Sequence, residues 1–180
     1  MDVLSGIALA APAGLNAYIP LLAVALAERF GWIALREPFD LLGEWWMIAL
    51  IAVLLVVEVI ADKIPAVDSI NDAIQTIVRP AAGGLLAASA SGAGTLSTVA
   101  LVVVGVLLAG SVHTAKAAAR PVINATTGGA GAPVASTAED IGALGLTILA
   151  IALPLLTLLI VAAFIVWAGS AIGRRRRSSG

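Results

Sequence analysis

Between positions 80 and 112 the chain carries no ionisable side chain. At about 1.5 Å per residue, one helix over that run would reach about 50 Å, whereas the hydrocarbon of a bilayer is about 30 Å thick. The run is too long for one upright span and short for two complete ones. Small residues interrupt it at 89–97 (Ser-Ala-Ser-Gly-Ala-Gly-Thr-Leu-Ser). This predicts a helical hairpin with a short first arm, residues 80–90, whose Gly and Ala suit close helix packing. The whole chain is 61% hydrophobic and 12% charged, with a mean hydropathy of +1.07. Soluble domains are about 45–50% apolar and about 25% charged. So few charges cannot cover that much apolar surface, so lipid is the expected solvent. The fold class expected is all-α, a polytopic transmembrane helical bundle with broken or re-entrant helices.

The spans are expected at about 4–27, 45–62, 78–92, 96–113 and 141–172, in a single membrane domain covering 1–180. The first contains Pro12, Gly14, Asn16 and Pro20, which predicts a broken or re-entrant first half packed against protein, where a freed backbone carbonyl can be satisfied. Residues 28–44 read as an interfacial connection, with Trp32 inside it and Trp45 and Trp46 just after, indoles that favour the headgroup level. Residues 64–79 read as a polar, weakly amphipathic segment, with Asp68, Asp72, Gln75 and Arg79 on one helical face and Pro65 at its start. Residues 113–140 form a second polar segment with a glycine-rich loop. The last apolar run is expected to bend or break near Pro154. Arg174 to Arg177 then form a basic tail, 173–180, that puts the C-terminus in the cytoplasm of a multi-pass protein of the cell membrane.

Several functions are set aside. Cysteine is absent, which removes disulfides, thiolate metal sites and thiol nucleophiles. A net charge of −1 gives no field to attract nucleic acid. The start, Met1-Asp2-Val3, has no basic n-region, so the first segment is read as a retained helix. One histidine gives no zinc site, and no Walker loop or dinucleotide fingerprint is present, so neither metal nor cofactor is expected. The Lys116 to Arg120-Pro121 spacing is too short for a lipid phosphatase motif, and Ser111 with His113 lacks the third group of a triad. The chain is not expected to be an enzyme.

Two stretches align with each other. Placing Lys63 on Lys116 also places Ile70 on Ile123 and Asn71 on Asn124. This is a candidate internal two-fold repeat, and many transporters hold their site at such an interface. The abundance of Ala, Val and Leu also produces such matches by chance.

The sequence resembles an uncharacterised family of bacterial integral membrane proteins, catalogued as a domain of unknown function. The residues that carry the likeness are Gly14-Leu-Asn-Ala-Tyr-Ile-Pro20, Glu58 with Asp62-Lys63-Ile-Pro65, Arg79-Pro80 with Gly83, His113 with Lys116 and Arg120, and Ser136 with Glu139-Asp140. The resemblance implies that these polar residues matter and implies nothing about substrate.

Ionisable groups beside apolar spans mark functional sites or paired structural charges. Glu58 and Asp62 are spaced i,i+4, and two neighbouring carboxylates suit proton or cation binding; the plainer reading is a hydrated helix end with Lys63 as partner. His113, Lys116 and Arg120 form an i, i+3, i+7 stripe that could bind an anion, meet lipid headgroups, or pair with Glu139 and Asp140. Arg79 and Arg120 could clamp an anionic headgroup from two sides. Asn16, Asn71 and Asn124 could contact substrate or cap backbone, and Gly128, Gly129 and Gly131 could form an anion nest or a flexible loop. The candidate substrate- or ion-binding set is Glu58, Asp62, Lys63, Asn71, Asp72, Arg79, His113, Lys116, Arg120, Asn124, Glu139 and Asp140. The function expected is a small transporter or channel-like protein for a small or anionic solute, or a lipid phosphate, with proton or cation coupling. The alternatives are a non-transporting scaffold or lipid-organising protein, and a lipid-headgroup enzyme. The partners expected are the bilayer, an anionic solute or headgroup, and a second copy contacting residues 87–94.

Overall fold

The computed structural model describes residues 1–90, 95–128 and 130–178, without the side chains of residues 65, 66, 68, 69, 95, 96, 124, 168 and 171–178. Among the described residues the chain is all-helical, with seven α-helices: α1 (Val3–Ala13), α2 (Tyr18–Arg29), α3 (Trp45–Ala61), α4 (Pro65–Ala88), α5 (Thr95–Thr127), α6 (Ala132–Ala152) and α7 (Pro154–Ser178). A short 3-10 helix, Phe39–Gly43, precedes α3. Two stretches, Ser97–Thr127 and Ala132–Ala152, are long and apolar enough to cross a membrane by length and composition.

The break expected in the first apolar run falls at residues 14–17, between α1 and α2. The Met1 amine donates to the Ala34 carbonyl at 2.5 Å. Laid end to end, these two helices would part those residues by about 35 Å. They therefore fold back as a hairpin, with its open end at one end of the bundle (the first end) and its tip inside. Asp2 starts α1 by accepting from the Ser5 backbone N–H at 2.9 Å. From Ser5 to Ala13 nearly every α1 residue is buried, since small side chains let a helix that is apolar all round sit at the centre. It packs against α4, α5, α6 and α7.

Helices α3, α5 and α7 run from the first end to the second, and α4 and α6 run back. The α4–α5 contact is the most extensive in the molecule. A Cβ on Gly83 would stand 2.5 Å from Ala109 Cβ and 2.7 Å from the Gly105 carbonyl, so glycine sets how closely these helices approach. Residues 87–90, part of the stretch read as a surface for a second copy, are buried inside the chain, where Gly6 of α1 meets Leu86, Ala87 and Ala90. Residues 91–94 of that stretch, with much of the small-residue interruption, lie outside the described residues.

Three boundaries differ from the sequence reading. Residues 64–79 and the arm at 80–90 are one helix, α4, which continues through Pro80. Proline removes one ladder bond, but the flanking turns are held by Arg79 and by the glycine contacts with α5. The polar segment after His113 is likewise helical to Thr127 and ends at Gly128, whose φ of 61° an L side chain rarely adopts. The last apolar run breaks beside Pro154 as expected, but into two separate helices. Leu153 separates α6 from α7, and Glu139 and Phe164 line one cleft of about 350 Å³, so α7 turns back alongside α6. The two aligned stretches are also built differently. Lys63 lies at the corner between α3 and α4, whereas Lys116 lies within unbroken α5.

Candidate functional site

The polar side chains that the sequence scatters over four segments meet where α3, α4, α5, α6 and the α1–α2 tip converge. On α3, apolar residues face outward and a carboxylate faces inward: Val56 is 57% exposed and Glu58 1%. Helix α4 repeats this inversion. Ile70, Ile74 and Ile77 are exposed, while Gln75 and Arg79 are buried. The four-residue spacing of Asn71, Gln75 and Arg79 puts the inward groups on one face.

Arg79 is the hub on α4, and its side chain is wholly buried. Its Nη2 donates to Glu58 Oε1 at 2.9 Å and lies 3.9 Å from Asp62 Oδ2. Its Nη1 lies 3.1 Å from His113 Nδ1. A guanidinium offers only donors, so Nδ1 accepts and the proton of the neutral ring sits on Nε2. Nε2 then donates to Thr76 Oγ1 at 3.2 Å, and that hydroxyl donates to the Asp72 carbonyl at 2.9 Å.

The i, i+3, i+7 stripe of α5 faces inward, with His113, Lys116 and Arg120 all buried. Lys116 and Arg120 both reach Glu139 of α6, at 2.8 Å and 2.9 Å. They also flank Asp62 Oδ2, at 3.8 Å and 3.9 Å. Three cations from two helices thus surround one carboxylate oxygen, none in direct contact with it. The other oxygen, Asp62 Oδ1, accepts from Asn71 Nδ2 at 2.6 Å.

The hairpin tip closes the cluster. Asn16 Oδ1 accepts from the N–H groups of Tyr18 and Ile19 at 3.0 Å and 3.1 Å and so caps α2. Its amide donates to Asp140 Oδ1 at 3.0 Å. Lys116 donates to the Leu15 carbonyl at 3.3 Å. Lys63, half-exposed at the corner, is 3.9 Å from Asp140, not partnered with Glu58 or Asp62.

Of the candidate residues, Glu58, Asp62, Arg79, Lys116, Arg120 and Glu139 form the cluster, with His113 and Asn71 bonded to it and the Lys63–Asp140 pair at its edge. Asp72 contributes a backbone carbonyl. The side chain of Asn124 lies outside the described residues, as do those of Asp68 and of Arg174 to Arg177. Gly129 of the glycine-rich turn is also outside, and the Gly131 N–H is taken by Thr127 Oγ1 at 2.9 Å. Thr76 escaped the sequence reading, and Gln75 entered it only as a face residue; their positions three and four residues before Arg79 were the available signal. Ser136 is wholly buried on α6.

An all-helical bundle with a buried cluster of paired charges at the tip of a helical hairpin defines the class. The chain belongs to the family described as Domain of unknown function (DUF4126), whose model matches residues 3–174. Neither a curated protein nor a solved structure matches it.

Proposed function

We propose that this chain is a multi-pass protein of the cell membrane and a small transporter for an anionic substrate, with the buried cluster as its binding site. The observation that carries this is the inverted distribution of polarity. Valines and isoleucines face outward while Glu58, Arg79, Lys116 and Arg120 are buried together. Water would not favour such an exterior, and lipid does. In this reading α3 to α7 are five spans and the α1–α2 hairpin is re-entrant, entering from the first end. Trp32, Trp45 and Trp46, all exposed at that end, sit at the headgroup level. Glu58 then lies about 20 Å along α3 from Trp45, in the far half of a bilayer about 30 Å thick. The four terminal arginines put that far side in the cytoplasm.

Buried ions lose hydration worth several kcal/mol each, and apolar side chains of equal volume would hold the helices together as well or better. A network this large is therefore a reason to infer binding. Arg79, Lys116 and Arg120 supply the anion's partners, and Glu58 and Asp62 the proton or cation coupling. The test is uptake of radiolabelled phosphate and acetate into liposomes holding the purified chain. Glu58→Gln and Arg120→Ala should each abolish uptake. Unchanged uptake in both variants would remove the cluster from transport.

One observation favours a second reading, a non-transporting scaffold: each acidic group of the cluster has a cation within 4.0 Å. A folded, correctly inserted protein that takes up neither ion would support it.

A further inference from the structure

Asp62 is held unlike the other carboxylates of the cluster. Glu58 and Glu139 each make direct bonds to cations, at 2.8–2.9 Å. Asp62 Oδ2 instead sits among Arg79, Lys116 and Arg120, each 3.8–3.9 Å away. Those three cations already have their short bonds elsewhere. The position they surround is one where an oxyanion is attracted by three charges and locked to none.

We propose that Asp62 is a built-in stand-in for the substrate's oxyanion, and that a carboxylate or phosphate group displaces it from this three-cation seat while Asp62 takes up a proton. The proposal rests on the transporter reading above and names its coupling residue. Charge supports a one-for-one exchange. Asp62 places one negative charge among Arg79, Lys116 and Arg120, beside Glu58 and Glu139. Protonation of Asp62 leaves the seat one negative charge short, and one monoanion restores the balance. Proton and anion therefore enter together, the proton from water onto the Asp62 carboxyl, and the net charge of the cluster is the same before and after.

The surroundings fit such a displacement. Asp62 lies just past the end of α3, at the corner before α4, where a few backbone torsions can swing it without moving a helix. Among the described residues its direct side-chain hydrogen bond is to Asn71, a neutral group that tethers the carboxylate to α4 without adding charge. Facing it from α4 is Arg79, and from α5 Lys116 and Arg120. Behind these stand Glu58 on its own helix, His113 on α5 with the Asp72 carboxylate of α4 acting on it, and Glu139 on α6; the Lys63–Asp140 pair lies at the edge toward the hairpin tip. Glu139 also lines the otherwise apolar cleft between α6 and α7, so the seat is one side chain away from that opening.

The experiment is calorimetric titration of the purified full chain with sodium acetate and with inorganic phosphate, at neutral and acidic pH, for wild type and Asp62→Asn. A parallel arm replaces the free ions with phosphatidic acid in phosphatidylcholine nanodiscs, which separates a lipid headgroup from a free anion. Wild type should bind more tightly in acid. Asp62→Asn should bind about tenfold or more tightly at neutral pH and lose that pH dependence, since proton and anion effects on one site are reciprocal. Equal affinity and equal pH dependence in the two proteins overturn the stand-in role and leave the anion site standing. No binding by either protein in either arm overturns the anion site itself. Should Asp62→Asn not fold, Asn71→Leu serves instead. It frees the Asp62 carboxylate from its tether and should raise anion affinity several-fold; unchanged affinity overturns the proposal.

Discussion

Replacing Arg79 by methionine tests whether the cluster is coupled as its geometry implies. The Arg79 and Glu58 side chains are both 0% exposed, so solvent screens nothing between them. Glu58 Oε2 has no hydrogen-bond partner among the described residues, so the Arg79 bond to Oε1 is the direct polar contact that this carboxylate has there. Methionine fills a similar volume but leaves Glu58 and the His113 Nδ1 acceptor without that donor. Breaking a buried pair from one side costs about 3–5 kcal/mol. Removing Glu58 as well takes away the stranded charge. Arg79→Met with Glu58→Met should then cost no more than about 1–3 kcal/mol, mainly for the unsatisfied histidine nitrogen. The assay is reversible unfolding in mild detergent, read as a double-mutant cycle. Single-variant costs that simply add in the double variant, or an Arg79→Met cost under about 1 kcal/mol, would refute the reasoning.

Other expectations concern the scaffold and its placement. Gly105→Ala puts a Cβ against the Gly83 carbonyl and should destabilise by about 1–3 kcal/mol in the same assay, whereas Gly145→Ala, with nothing within 4 Å, should be neutral or slightly stabilising. Asp2→Ala removes the α1 cap and should cost about 0.5–2 kcal/mol. The Ser5 backbone N–H holds the Asp2 carboxyl below its ordinary value. The cap's contribution is therefore present above the unfolded value and fades as pH falls through the lower folded one, which unfolding measured down an acid series will follow. Because cysteine is absent, single substitutions Trp32→Cys and Thr126→Cys can be probed with an impermeant thiol reagent. Both positions are exposed and lie at opposite ends, so they should label from opposite sides of the membrane; labelling from one side contradicts the span arrangement.

What the sequence made legible follows from which physical rule governs each element. The break at residues 14–17 could be read because Pro12, Gly14 and Pro20 crowd one apolar run, and backbone chemistry is local. The inward stripe of His113, Lys116 and Arg120 could be read because 3.6-residue periodicity survives any tertiary context. The continuity of α4 could not. Asp68, Asp72 and Arg79 look like a water-facing segment until Glu58 and His113 are known to receive Arg79, and those partners come from helices distant in sequence. The fold-back of α7 was hidden for the same reason. Pro154 marks a break, but the angle across Leu153 is chosen by packing against α1 and α5.

The same distinction applies to how the charges pair. Each candidate charge could be picked out singly, since charge beside an apolar run is rare and costly. The pairing could not, because it depends on which helices meet. Once they meet, the constraint is severe: an unmatched ion at this burial would cost more than the margin of about 5–15 kcal/mol by which domains of ordinary size stay folded would easily absorb. Lys116 and Arg120 therefore require Glu139, and Arg79 requires Glu58. Asp62 has no such direct bond to Arg79, Lys116 or Arg120. It lies 3.8–3.9 Å from all three cations at the corner between α3 and α4, and in the proposed exchange it is the acid that moves.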